Sequence, residues 1–166
     1  MENLNGRPGA PAGGEEENNG LKNPQSEDFC ENAILPLHCV NGSGIVIWAN
    51  QAELDFLGYL KEEYLNHHIS TFHADKHVIE DIQERLIKQQ RLVNYYARLR
   101  CKSGEVKHVL INSNVFLKDG KFSHTRCFTT DITDLKKTEL QQLCLISELR
   151  EKHTRLLWKS GNQRSA

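Results

Sequence analysis

The stretch 92-LVNYYARLRCKSGEVKHVLINSNVFLKDGKFSHTRCFTTDIT-133 decides the fold. It holds three runs rich in β-branched and aromatic residues, at 92–101, 106–117 and 121–133, separated only by KSGE at 102–105 and KDGK at 118–121. Each link carries a glycine where the backbone must reverse, so the runs predict an antiparallel meander. Immediately after it the chain changes from strand-like residues to 134-DLKKTEL-140, a charged run with spaced leucines, with no Gly or Pro at Asp131-Ile132-Thr133 to make a break.

Working outward from the meander, ILPLHCV at 34–40 and IVIWAN at 45–50 flank the turn NGSG at 41–44. This predicts a hairpin in which Asn41-Gly42 supply positive φ. A short helix is expected from Asn50 to Tyr59 with Gly58 as its stop, and a further turn at 61–65. Asp75 to Gln90 places Val78, Ile79, Ile82 and Leu86 on one helical face, with Asp75 available as a cap. Two strands, several helices, three strands and a terminal helix make an α+β arrangement, in which the helices cover the apolar face of one antiparallel sheet.

The 166 residues, 38 % of them hydrophobic, suffice for one core and not two. Residues 1–27 hold five of the 11 glycines, three of the four prolines and the run Glu15-Glu16-Glu17, a composition too poor in apolar side chains to offset ordering entropy. They are read as a disordered acidic tail, with a helical turn possible around Ser26 to Ala33. The domain is placed at 28–133, a terminal helix at 134–158 and a second tail at 159–166.

A net charge of −1 offers no field to hold a phosphate backbone, so nucleic acid is not an expected partner. No apolar run approaches the roughly 20 residues that span a bilayer, and no export signal opens the chain. A cytoplasmic location is expected. The five cysteines (Cys30, Cys39, Cys101, Cys127, Cys144) never fall in a C-x-x-C pair, which argues for reduced thiols.

The sequence resembles a PAS domain of the S-box type, similar to the sensory input domains of bacterial histidine kinases. The resemblance rests on Gly44-Ile45-Val46-Ile47-Trp48-Ala49-Asn50-Gln51-Ala52, then Leu57-Gly58-Tyr59 with Glu62-Glu63, then Arg98-Leu99-Arg100-Cys101-Lys102-Ser103-Gly104, and last Asp131-Ile132-Thr133-Asp134-Leu135-Lys136-Lys137, like the D-I-T-x-x-K ending of this family. It covers about Glu31 to Lys137. It implies a five-stranded sheet of order 2-1-5-4-3, helices on one face enclosing a small cavity, and a binding module instead of an enzyme.

The cofactor is left unknown. Flavin photosensors of the family carry a reactive cysteine in N-C-R-F-L-Q, and 62–82 contains none; haem-binding members use a histidine on the long helix, where only His77 stands, at its start. His73 and His77 are four apart, with His67 and His68 nearby, and a metal-binding protein built on this cluster is an alternative function, although no Cys, Asp or Glu completes a recognisable signature. No nucleophile elbow, P-loop or metalloprotease helix is present. Ser147-Glu148-Leu149-Arg150 resembles the phosphoacceptor box of histidine kinases but lacks its histidine.

A ligand in the cavity would meet alternate strand residues: Ile47, Tyr95, Leu99, Ile111 and Cys127, with Phe72, Ile82 and Leu86 from the helical side. The same residues could instead pack solidly as core. Asp131, Ile132 and Thr133 form the expected signal junction, stiff enough to pass movement of the sheet into the helix. The helix carries an apolar stripe, including Leu135, Leu143, Ile146, Leu149, Leu156 and Leu157, that must be covered, by its own sheet or by a second copy. The expected protein is a stand-alone sensory and interaction module that forms a homodimer and acts through a partner such as a histidine kinase, since no kinase, cyclase or DNA-binding segment follows. A ligand-free dimerisation module is the other reading.

Overall fold

A computed structural model describes residues 24–162. The expected tails at 1–27 and 159–166 therefore lie partly outside the described residues. Within them, Pro24–Glu31 form a helix, α1, and the terminal helix continues to Asn162, so both ends are helical further than their composition suggests.

The strands β1 (Leu37–Asn41) and β2 (Val46–Ala49) form the hairpin, followed by α2 (Gln51–Leu57), α3 (Lys61–Tyr64), a 3₁₀ turn (Ile69–Phe72) and α4 (Lys76–Ile87). The meander follows as β3 (Leu92–Arg100), β4 (Val106–Lys118) and β5 (Lys121–Asp131), and α5 (Thr133–Asn162) ends the described chain. The five strands form one antiparallel sheet in the order β2-β1-β5-β4-β3. This is the α+β architecture expected.

Turn chemistry explains the reversals. Asp119 (φ 51°) and Gly120 (φ 73°) both lie in the left-handed region, as a two-residue hairpin link between twisted strands requires. The first hairpin turns differently from the Asn41-Gly42 expectation. Positive φ falls on Gly44 (79°), while the Asn41 side chain accepts from the amides of Ser43 and Ile45, each at 3.0 Å, and so ties the turn from within.

Helix α2 is fixed at both ends. The Asn50 side chain accepts from the amide of Glu53 at 3.0 Å as N-cap, and Gly58 takes a left-handed C-cap with its amide donating to Leu54 O. Asn50 is fully buried because it does more than cap: its Oδ1 also accepts from Leu37 N, and its Nδ2 donates to the carbonyls of Cys30, Ala33 and Leu35. One side chain thus binds the segment before β1 to the start of α2.

The core lies between the sheet and the helices. Val40, Val46, Ala97, Leu99, Val109 and Ile111 meet Leu57, Tyr64, Phe72, Ile79, Ile82 and Leu86 there. Strand alternation sends their neighbours to the opposite face, where Ile47, Tyr96 and Phe128 are exposed. Asp75 stands at the N-cap position of α4 without a capping bond; its carboxylate instead pairs with both Nε and Nη2 of Arg98, clipping α4 to β3.

Candidate ligand-binding cleft

Between the sheet and α4 lies a cleft of about 280 Å³, a little below the range of drug-sized ligand sites. Its apolar wall comes from Val40, Ile69, Ile79, Ile82, Leu86 and Ile111. Its polar end is formed by His38, Thr125, Cys127 and His73, with Gly44, His68 and Gln83 near the first hairpin. A Cβ on Gly44 would come within 2.3 Å of His68 Nε2 and 2.7 Å of Gln83 Nε2, so these two side chains close over the turn only because it has none.

Four of the eight residues expected at a ligand, Ile82, Leu86, Ile111 and Cys127, line this cleft. Phe72 and Leu99 are buried in the core instead, Phe72 against the rings of Tyr64 and Tyr59. Tyr95 is half-buried outside the cleft, its hydroxyl donating to Asp81 on α4. Ile47 is a correction: Val46 is fully buried against the helices, so the next residue along the strand faces away and is 44 % exposed.

The histidine cluster is not assembled either. Helix α4 begins at Lys76, leaving His73 outside it; His73 is buried, whereas His67 and His77 are exposed, and His68 is held by the Ser70 hydroxyl at 2.7 Å. Among the described residues no three His, Cys, Asp or Glu side chains converge to hold a metal ion.

Behind the polar end runs a buried chain of polar groups that the strand and helix patterns did not announce. Tyr64 OH donates to Glu53 Oε1 at 2.7 Å, and the same oxygen lies 2.9 Å from His38 Nδ1. His38 and Cys127 are direct cross-strand partners on β1 and β5. Ser113 Oγ is 2.9 Å from Cys127 Sγ, and Thr125 Oγ1 is 3.5 Å away. The available signal was Glu53 lying four residues before Leu57, on the buried face of α2.

Burial and the Glu53 carboxylate together hold the Tyr64 phenol well above its usual range, so it acts as a donor. Burial disfavours the charged form of His38, but Cys127 and Glu53 beside it reverse this and raise its pKa well above the ordinary value. At Cys127 burial works against the thiolate, and His38, aided by the Ser113 and Thr125 hydroxyls, outweighs it and lowers the pKa. His73 is pushed down to about 4, by burial first and then by the positive His38.

At the far end of β5 the chain is pinned before it leaves the sheet. Asp131 Oδ1 accepts from Thr133 N at 2.8 Å, Thr133 Oγ1 accepts from His108 N at 3.0 Å, and Ile132 N donates to His108 O at 2.9 Å. Thr133 is buried, and from Asp134 onward α5 is mostly exposed, with Leu143, Ile146 and Leu149 each about half accessible. No described helix is long and apolar enough to cross a membrane.

Comparison with known proteins agrees with this architecture. Among solved structures, the chain is similar to the PAS domain of an HTR-like protein from Haloarcula marismortui, at 22 % identity over 65 % of this chain and 89 % of that one, with a TM-score of 0.56. It is similar to a PAS domain from a two-component sensor histidine kinase at 17 % identity over 64 % and 93 % of the two chains, TM-score 0.54. An RNA-binding Light-Oxygen-Voltage receptor matches at 16 % identity and TM-score 0.66, over 83 % of this chain but only 41 % of the receptor. No curated protein matches at a significant level. The family described as PAS domain matches residues 31–134, most of the chain and nearly all of the sheet and its helices, and on that match the chain belongs to the PAS domain family.

Proposed function

We propose that this PAS domain is a cytoplasmic sensory and interaction module that takes a small ligand with an apolar body into the cleft and relays its presence through Asp131, Ile132 and Thr133 to α5. One observation carries this reading. The strand that lines the cleft with Thr125 and Cys127 is the strand that runs into α5, through a junction pinned to His108 of β4. A displacement at the cleft therefore acts on the helix start through stiff structure. The leucines along α5 then pair with a second copy or with a signalling partner such as a histidine kinase.

Native mass spectrometry of the chain purified from its own host tests the first half, because a retained small molecule is expected. Deleting residues 138–166 tests the second. The core should remain folded while the mass by light scattering falls to that of a monomer; an unchanged mass would refute pairing through α5. A dimerisation module without ligand is the second reading, favoured by Phe72 and Leu99 being packed in the core instead of lining the cleft. A retained molecule would contradict it.

A further inference from the structure

Cys127 has the surroundings of a reactive thiol and not of a packing residue. It is 6 % exposed, yet it borders the cleft. Its cross-strand partner His38 has Nδ1 engaged by Glu53, leaving Nε2 for the thiol side, and the hydroxyls of Ser113 and Thr125 approach the sulfur from its own sheet. Glu53 orients the imidazole as a positioning residue, Tyr64 in turn holds Glu53, and His38, directly across from Cys127 in the sheet, is the proton carrier beside the sulfur.

A second observation points to an occupant. His73 is 7 % exposed, lines the same cleft, and its buried Nδ1 has no hydrogen-bond partner. A buried polar nitrogen left unpaired costs free energy that a ligand's polar atom would relieve. The rest of the wall is aliphatic, so the occupant has a short hydrocarbon body with one polar end near His73 and an electrophilic carbon near Cys127.

We infer that the cleft is a covalent capture site for short-chain α,β-unsaturated aldehydes or ketones, with Cys127 as nucleophile and His38 as proton donor. The thiolate forms a bond to the β-carbon, the double-bond electrons move toward the carbonyl, and the His38 imidazolium returns a proton to the α-carbon. The net change is addition of the S–H across the C=C bond. Nothing leaves and no oxidant is needed. His73 serves the carbonyl oxygen through its free Nδ1. A simple peroxide would find no use for the aliphatic wall. This assignment rests on reading the cleft as a ligand site and names its ligand class.

The full-length chain, with its thiols reduced, is treated with trans-2-hexenal, the adducts are fixed with borohydride, and each cysteine is followed by peptide mass mapping. Cys127 should be modified about tenfold or more faster than the exposed Cys144, despite its burial. The rate should hold as pH falls through the range in which an ordinary thiol loses its thiolate, since the positive His38 favours the Cys127 thiolate, with Glu53, Tyr64, His73 and Cys39 the other titratable groups near the pair. His38→Gln should slow Cys127 by about tenfold or more and leave Cys144 unchanged. The pH profile of the unmutated chain decides the same question if that variant misfolds. Modification of Cys127 no faster than Cys144, or a rate that follows an ordinary thiol's pH dependence, overturns the inference. If, in addition, native mass spectrometry shows a retained unreacted molecule, the sensory reading stands and the covalent one falls; an empty cleft with an inert Cys127 removes both.

Discussion

Glu53 is completely buried on the first turn of a helix, a position a carboxylate occupies only when its partners offset the lost hydration. Tyr64 and His38 supply them on one oxygen, and Oε2 has none. His73 poses the opposite problem, since its site stabilises the neutral ring. With a folded pKa of about 4 against an ordinary 6.5, the unfolded chain takes up the proton first. The stability His73 contributes is therefore complete above about pH 6.5 and is lost as pH falls toward 4, to a limit of roughly 3 kcal/mol. Urea midpoints across that window should drop in the parent chain and drop less in His73→Phe. Parallel curves would show that His73 is not the group responsible.

At the scale of elements, two joints carry most of the consequence. Asn50 satisfies donors and acceptors from α1, the linker before β1, β1 itself and α2, so truncating it removes a cap and leaves several buried backbone groups without partners. Asn50→Ala should destabilise the domain by roughly 2 to 4 kcal/mol in chemical unfolding, well beyond the loss of a cap alone. The second joint is Asp131-Ile132-Thr133. Its bonds to one another and to His108 explain why no glycine is needed there: the strand ends by folding its own side chains over the helix start. Inserting Gly-Gly after Thr133 should leave the unfolding midpoint of the core unchanged while amide exchange over residues 134–140 rises. Protection equal to the parent's would show that the joint does not hold the helix.

For the whole molecule the decisive asymmetry is between a covered and an uncovered face. The helices cover one side of the sheet, and α5 leaves the end of the central strand β5 as a 30-residue helix, with Leu143 and Leu149 more than half exposed. An isolated exposed helix of that kind gains stability mainly by burying its stripe against another. Ile146 is 45 % accessible, so Ile146→Asp should change monomer stability by no more than about 0.5 kcal/mol. It should also shift the solution mass from dimer to monomer by light scattering. A dimer that survives the substitution would place the contact elsewhere.

The sequence by itself determined the secondary-structure order, the turn positions, the helix stop at Gly58 and, through motifs in order, the sheet 2-1-5-4-3. These are local or pairwise matters, set by periodicity and by residues with special backbone preferences, and they can be read from neighbours in the chain. Which residues border the cleft was only half legible. Ile111 and Cys127 follow from strand alternation and Ile82 and Leu86 from the helical period of α4, but one residue of strand phase turned Ile47 outward, and Phe72 and Leu99 were taken up by core packing. Only the tertiary structure decided that His38, Glu53, Tyr64, Ser113 and Cys127 form one buried chain. These groups lie on separate strands and helices, from residue 38 to residue 127, and the free energy that justifies burying each is supplied by the others once the sheet closes β1 against β5.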